Sequence, residues 1–148
     1  MTLELRAGLY EACQQISPRH EDYAILSIED GFDWSSLSNC DFEQLYLVTF
    51  RSLRRPEADL DLLSEHDDRA YEEALAAGGL LRYFKGQANE RGDCLSFCLW
   101  ESGEQARNAA ASASHRTAAS ITAQTYLSYT LERYWLKKKE GKLVFEQI

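Results

Sequence analysis

Among the 148 residues of this chain, His115 is the side chain best suited by type to do chemistry. An imidazole ionises near neutrality, so a helix histidine beside a pocket can move a proton or bind a metal. The other two histidines have weaker settings. His66 lies among Glu65, Asp67 and Asp68. Consecutive helical residues point in different directions, so that group cannot converge on one ion and reads as a solvated acidic face. His20, between Arg19 and Glu21, has no partner visible in sequence. Trp100 and Tyr126 have the aromatic surface and polar tip that line small-molecule pockets. Arg51 and Glu132 complete the candidate pocket set, and alternation along their strands puts both on one sheet face, where they can pair. Tyr129 and Tyr134 read as packing or interface residues. Lys137, Lys138 and Lys139 read as a solvated strand end.

Cys94 and Cys98 are four residues apart in a strand and share a face. Roughly 13 Å of extended chain separates them, too far for a disulfide. With no histidine cluster at a matching spacing, the expectation is buried free thiols and no metal site. No Gly-rich phosphate loop, Gly-x-Ser-x-Gly elbow or His-Glu-x-x-His motif occurs.

These residues need elements to hold them. Leu3, Leu5, Leu9, Ala12, Cys13 and Ile16 recur at near-helical spacing, and Ser17-Pro18 ends that helix. Residues 23–28 read as a short strand. Residues 45–53 form a first core strand. A helix over 57–77 follows, with Pro56 in its first turn and Gly78-Gly79 as its stop. A strand over 80–88, a turn at 89–93 using Gly92, and a strand over 94–101 make a hairpin. A helix over 103–123, a long strand over 125–137 and a short terminal strand complete the chain.

The core series is β-α-β-β-α-β, the split βαβ pattern of a ferredoxin-like α+β sandwich. Both helices lie on one face of its antiparallel sheet. Each strand has a greasy and a mixed face, so the sheet is expected to bare one apolar face, which a second copy would cover. The domain reading is an N-terminal extension over 1–44 and a ferredoxin-like domain over 45–148.

Composition narrows the partners. The net charge of −8 repels phosphate backbones, so nucleic acid is not expected. No apolar run approaches the ~20 residues of a membrane helix, and the N-terminus lacks a secretory apolar core. Unpaired cysteines and the absent signal suggest a cytoplasmic protein.

The segments LYLVTFRSLRR (45–55), SFCLWES (96–102), the helix with His115-Arg116, and TYLSYTLERYWLKKK (125–139) carry a resemblance over about two-thirds of the chain. They resemble an uncharacterised family of the dimeric α/β-barrel superfamily, which includes antibiotic-biosynthesis monooxygenase-like proteins. The resemblance implies a ferredoxin-like fold, a homodimer forming an α/β barrel, and a pocket between sheet and helices. Haem-degrading members of such a superfamily place a Trp on the second helix, about three turns before a His. Here Asn108, Ala109, Ala110 and Ala111 precede His115, and Trp100 lies on a strand.

The resulting expectation is a homodimer that binds a hydrophobic small molecule near Trp100 and His115, with no cofactor. Cofactor-free oxygenation, cyclisation or isomerisation would suit such a pocket. A non-catalytic binding or scaffold protein is the alternative, and haem handling through His115 is a third. The N-terminal extension is free to cap the pocket.

Overall fold

The computed structural model describes residues 2–111 and 121–148. The chain order is α1 (Leu3–Gln14), β1 (Ser17–Pro18), α2 (Ile28–Gly31), β2 (Phe32–Asp33), β3 (Gln44–Arg54), α3 (Leu60–Ala77), β4 (Leu80–Phe84), β5 (Asp93–Trp100), α4 (Gly103–Ala110), α5 (Thr122–Thr125), β6 (Tyr126–Lys139) and β7 (Lys142–Gln147). The main sheet is antiparallel with order β4-β5-β3-β6-β7. Its first four strands have the ferredoxin-like arrangement, with the two outer members of the series, β3 and β6, side by side.

Local chemistry sets the ends of these elements. Thr2 caps α1 by accepting from the Leu5 amide. Asp59, not Pro56, starts α3: its Oδ1 accepts from the Leu62 amide at 3.0 Å. A capping carboxylate satisfies a free helical donor and suits the positive helix end, so the residues between Pro56 and Asp59 stay outside. Gly78, at φ +81°, ends the helix. The turn before β5 needs Gly92 at φ +96°. Residues 23–28 form no strand. Tyr23–Ile25 is a 3-10 turn, and Ser27 caps α2 through the Asp30 amide. The capping serine redirects a run whose apolar content alone suggested β structure.

The register decides what each sheet face carries. Phe50 lies opposite Ser96, and Thr49 opposite Phe97. The greasy side of β3 therefore shares a sheet face with the mixed side of β5. The sheet does not divide into one apolar and one mixed face, and both faces are covered.

One face carries Leu45, Leu47, Leu95, Phe97, Leu99 and Leu136, which pack in one core with Leu9, Cys13, Ile16, Ile28, Phe32, Trp34 and Leu37. The extension thus lies flat on the sheet. Its aromatic centre is Phe32, edge-on to Phe84 and Phe97, with Trp34 against Phe97 and Phe145. Polar ties fix the layer: Trp34 Nε1 donates to Ile28 O, Gln14 Nε2 to Leu81 O, Arg82 Nη2 to Ile16 O and Lys138 Nζ to Ser38 O. The face expected to meet a second copy is occupied by the chain's own first forty residues.

Helices α3 and α4 cover the other face. Tyr46, Ala74, Trp100, Ala106 and Ala109 form its core, with Trp135 edge-on to Tyr46 at 5.1 Å. Among the described residues no helix is long and apolar enough to cross a membrane.

Candidate functional site

The helix-covered face is filled at one end and hollow at the other. Its filled end holds Tyr46, Trp100 and Trp135 beneath α4. Towards the opposite end, a cavity of about 310 Å³ separates the sheet from α3. Alternation explains its floor: Phe50, Ser52 and Arg54 of β3, and Cys94, Ser96 and Cys98 of β5, all point the same way. Tyr83 from β4 and Tyr126, Tyr129 and Leu131 from β6 extend the floor and rim. Leu63, Asp67, Ala70, Tyr71 and Ala74 form the α3 wall, one residue set spaced by a helical turn. Tyr71 and Tyr129 remain 38% and 39% exposed, which places them at the rim.

Gly86 permits the close packing of one corner. A Cβ there would lie 1.8 Å from the Leu95 carbonyl oxygen. The Gly86 amide donates to Ser96 Oγ at 3.0 Å, so the strand end folds tightly against β5. An adjoining recess of about 320 Å³ shares Arg54, Leu63, Asp67, Lys85 and Gly86 with the main cavity. The charged groups therefore stand where the two spaces meet.

Burial governs the electrostatics. It raises the Asp67 carboxyl above its ordinary value, while the positive charges of Lys85 and Arg54 pull the other way without cancelling it. Burial pushes Tyr126 up to about 12, and raises Tyr83 further, with the Asp67 charge adding to both. Cys98 is pushed up to about 12 by burial alone, and Cys94 is also raised. At neutral pH the phenols and thiols are protonated hydrogen-bond donors, not nucleophilic anions. Asp67 is the carboxyl that lines the cavity, and burial moves its ionisation in the direction of neutral pH. Arg54 Nε is buried and, among the described residues, has no hydrogen-bond partner. No group of three or more His, Cys, Asp or Glu side chains among the described residues is arranged to hold a metal.

The sequence-predicted residues separate. Tyr126 lines the cavity. Trp100, 3% exposed, packs against Ala106 and Ala109 beside the cavity and not in its wall. Arg51 and Glu132 pair at 3.1 Å, on the shared face expected of them. That face is the one under the N-terminal layer, where Arg51 also donates to Ala24 O at 3.1 Å and Leu26 O at 2.8 Å. The odd-numbered positions of β3 point away from the cavity, so this pair anchors the extension. His115 lies outside the described residues. The extension and the cavity occupy opposite sides of the sheet, so the extension does not cap it.

Sequence reasoning passed over Arg54, Asp67, Tyr83 and Lys85. A signal existed for two of them. Arg54 has the parity of Phe50 and Ser52, and Asp67 is one helical turn from Leu63 and Ala70. Asp67 was masked by its neighbours: Glu65 and Asp68 are exposed, as a solvated face requires, but Asp67 turns inward.

Solved structures share the fold at low sequence identity. A proposed antibiotic biosynthesis monooxygenase from Caulobacter crescentus aligns with a TM-score of 0.54 at 16% identity, covering 67% of this chain and 93% of its own. A second such protein, from Nitrosomonas europaea, gives 0.53 at 10% identity, over 68% and 95%. Rv0793 of Mycobacterium tuberculosis gives 0.52 at 16%, over 65% and 96%. Identities this low establish the ferredoxin-like fold of antibiotic-biosynthesis-monooxygenase-like proteins and not a chemistry. The aligned two-thirds leaves about a third of the chain outside the shared fold. Among curated proteins, UPF0643 protein PB2B2.08 of Schizosaccharomyces pombe is 34% identical over 102 residues, which is 65% of this chain. The match spans 46% of that relative, less than half its length. The model of the PB2B2.08-like family matches residues 3–147, extension and sheet together, and the chain belongs to that family.

Proposed function

We propose that this protein binds a small, largely apolar molecule in the cavity between the sheet and α3. The observation that carries the reading is the cavity itself. At about 310 Å³ it falls within the range of small-molecule sites, and its wall is mainly apolar and aromatic with a few converging polar groups. A filled helix–sheet interface would have been the ordinary outcome of packing.

Two forms of this reading differ in turnover. As an enzyme, the protein would act without a cofactor on an activated substrate, by oxygenation, cyclisation or isomerisation. Asp67 would then be the proton-transfer group, because its raised ionisation brings it closer to working pH. As a carrier, it would use the same wall only to hold its ligand. The protonated state of Cys94, Cys98, Tyr83 and Tyr126 favours the carrier over mechanisms in which one of these groups is a nucleophile. Free thiols at all four cysteines suit the cytoplasm.

A homodimer belongs to the same proposal, but with a different interface. The N-terminal layer fills the sheet face that a two-sheet barrel would use. The open surface is the first half of β6. Strand β7 pairs with β6 from Tyr134 onward, so the outer edge before it is unpaired among the described residues. Leu127, Tyr129 and Leu131 are exposed along that stretch at 56%, 39% and 42%. An unpaired apolar strand edge favours pairing with another strand. Tyr129 and Leu131 also line the cavity, so a second copy there would extend its wall.

Native mass spectrometry of protein purified from its source tests both parts together. The expected result is a twofold assembly with a co-purifying small molecule lost on Leu63→Trp, which fills the cavity. A ligand that survives this substitution in a folded protein would place binding elsewhere. A monomer at all concentrations would remove the dimer.

A further inference from the structure

We infer that the ligand of this cavity is a hydrophobic monocarboxylate, its carboxylate held by Arg54 and Lys85. This inference rests on the small-molecule reading above and adds the chemical class. Three observations meet at one point. Arg54 and Lys85 both line the cavity and the adjoining recess, so they stand at their junction. Arg54 Nε is buried and has no hydrogen-bond partner among the described residues. Neither cation closes an ion pair with Asp67 among the described residues, although both act on it electrostatically.

A buried donor without an acceptor is costly, and a charged one more so. Water or a bound ligand can supply the missing acceptor, and guanidinium geometry matches a carboxylate by two parallel hydrogen bonds. The whole chain carries a net charge of −8, so two cations at one cavity run against the surrounding field. Asp67 limits the ligand's charge. A dianion would face its carboxylate at close range, while a monoanion balances the local sum. Away from this corner, Phe50, Leu131, Tyr126 and Tyr129 offer an apolar and aromatic body site. The ligand therefore has one anionic end and a greasy remainder.

The test is calorimetric titration of the intact protein with aryl and alkyl monocarboxylates, each beside its matched primary amide and its matched phosphate monoester. Carboxylates should bind about tenfold or more tightly than their amides, the difference of one charged hydrogen-bond pair. Arg54→Gln should remove that preference and leave amide binding unchanged. Arg54→Lys, which keeps the charge, should retain part of it. Arg54 Nε has no partner to lose among the described residues, and Gln removes only the attraction to Asp67, so Arg54→Gln should still fold, which its melting curve verifies. Equal binding of acids and amides would overturn this inference and leave the cavity reading intact. Binding of neither series would overturn both. Tighter binding of the phosphate than of the carboxylate would overturn the assignment of a monoanion.

Discussion

Replacing Arg51 should loosen the N-terminal layer without touching the cavity. The guanidinium makes three hydrogen bonds, to Glu132 Oε2 at 3.1 Å, Ala24 O at 3.1 Å and Leu26 O at 2.8 Å. It joins β3, β6 and the turn before α2. Its side chain is 22% exposed and that of Glu132 25%, so water screens the pair only partly. A hydrogen bond to a charged group contributes about 1.5–3 kcal/mol net, and carbonyls this near the surface can recover water when the donor leaves. The sum for Arg51→Ala is therefore about 2–4 kcal/mol, below three full bonds. For a chain of this length that lowers the melting temperature by about 5–15 °C. Arg51→Lys should recover less than half, since one ammonium cannot span three acceptors set in a fork. Urea denaturation followed by circular dichroism gives the free energies, and Arg51→Ala combined with Glu132→Gln gives the coupling between the partners. Ligand affinity should be unchanged in every folded variant. A loss below about 0.5 kcal/mol for Arg51→Ala would refute the anchoring role. A loss of ligand affinity at full stability would return Arg51 to the binding site.

Further outcomes follow from the cavity and the thiols. Asp67 has a raised ionisation in the folded chain, so the folded state holds its proton to higher pH than the unfolded state. Stability should then fall as pH rises from the unfolded value through the folded one, and Asp67 is a net cost at neutral pH. Asp67→Asn should raise the melting temperature at pH 7 and flatten that part of the pH profile; a lower melting temperature at pH 7 would contradict the burial argument. Gly86→Ala should destabilise by about 1–3 kcal/mol, because the new methyl meets the Leu95 carbonyl at 1.8 Å, and chemical denaturation measures it. In native protein a thiol reagent at pH 8 should modify Cys40 well before Cys13 and Cys98, whose thiols burial holds up near 12. Rapid labelling of Cys98 would mean that the cavity opens widely.

The strand series was readable because its pattern is local. Alternation over 45–53 and 94–101, the acidic start of α3 and the Gly78-Gly79 stop each signal their element within a few residues. Alternation also placed Arg51 and Glu132 on one face, because neighbouring strands keep a common pleat. Which side that face belongs to is not local. It depends on Thr49 meeting Phe97 rather than Ser96, a register set by contacts some fifty residues apart. A slip of one residue exchanges the two faces of a strand, and with them the assignment of Arg51 and Arg54. The extension was obscure for a related reason. Tyr23, Phe32 and Trp34 have no periodicity of their own, and their order comes from the aromatic surface of Phe84 and Phe97 beneath them.

The two coverings of the sheet explain why the cavity lies on the helix-covered side. After α1, which contributes Leu9, the extension continues as turns and very short helices, so its aromatic rings fit one by one into the sheet surface, and its core contains Leu9, Phe32 and Leu37 at 1–2% exposure. A rigid helix cannot follow a twisted sheet in that way. Helix α3 stays close to the sheet at Ala74, where a small side chain and Trp100 share one core. Towards its N-terminal half, Leu63 and Asp67 face Arg54 and Lys85 across open space. Filling that end with apolar side chains would bury more surface and remove the Arg54 Nε that has no partner among the described residues. The sequence instead supplies an arginine, a lysine and an aspartate. These residues stabilise the fold poorly by themselves, and an arginine beside a lysine is the arrangement that the proposed carboxylate site requires.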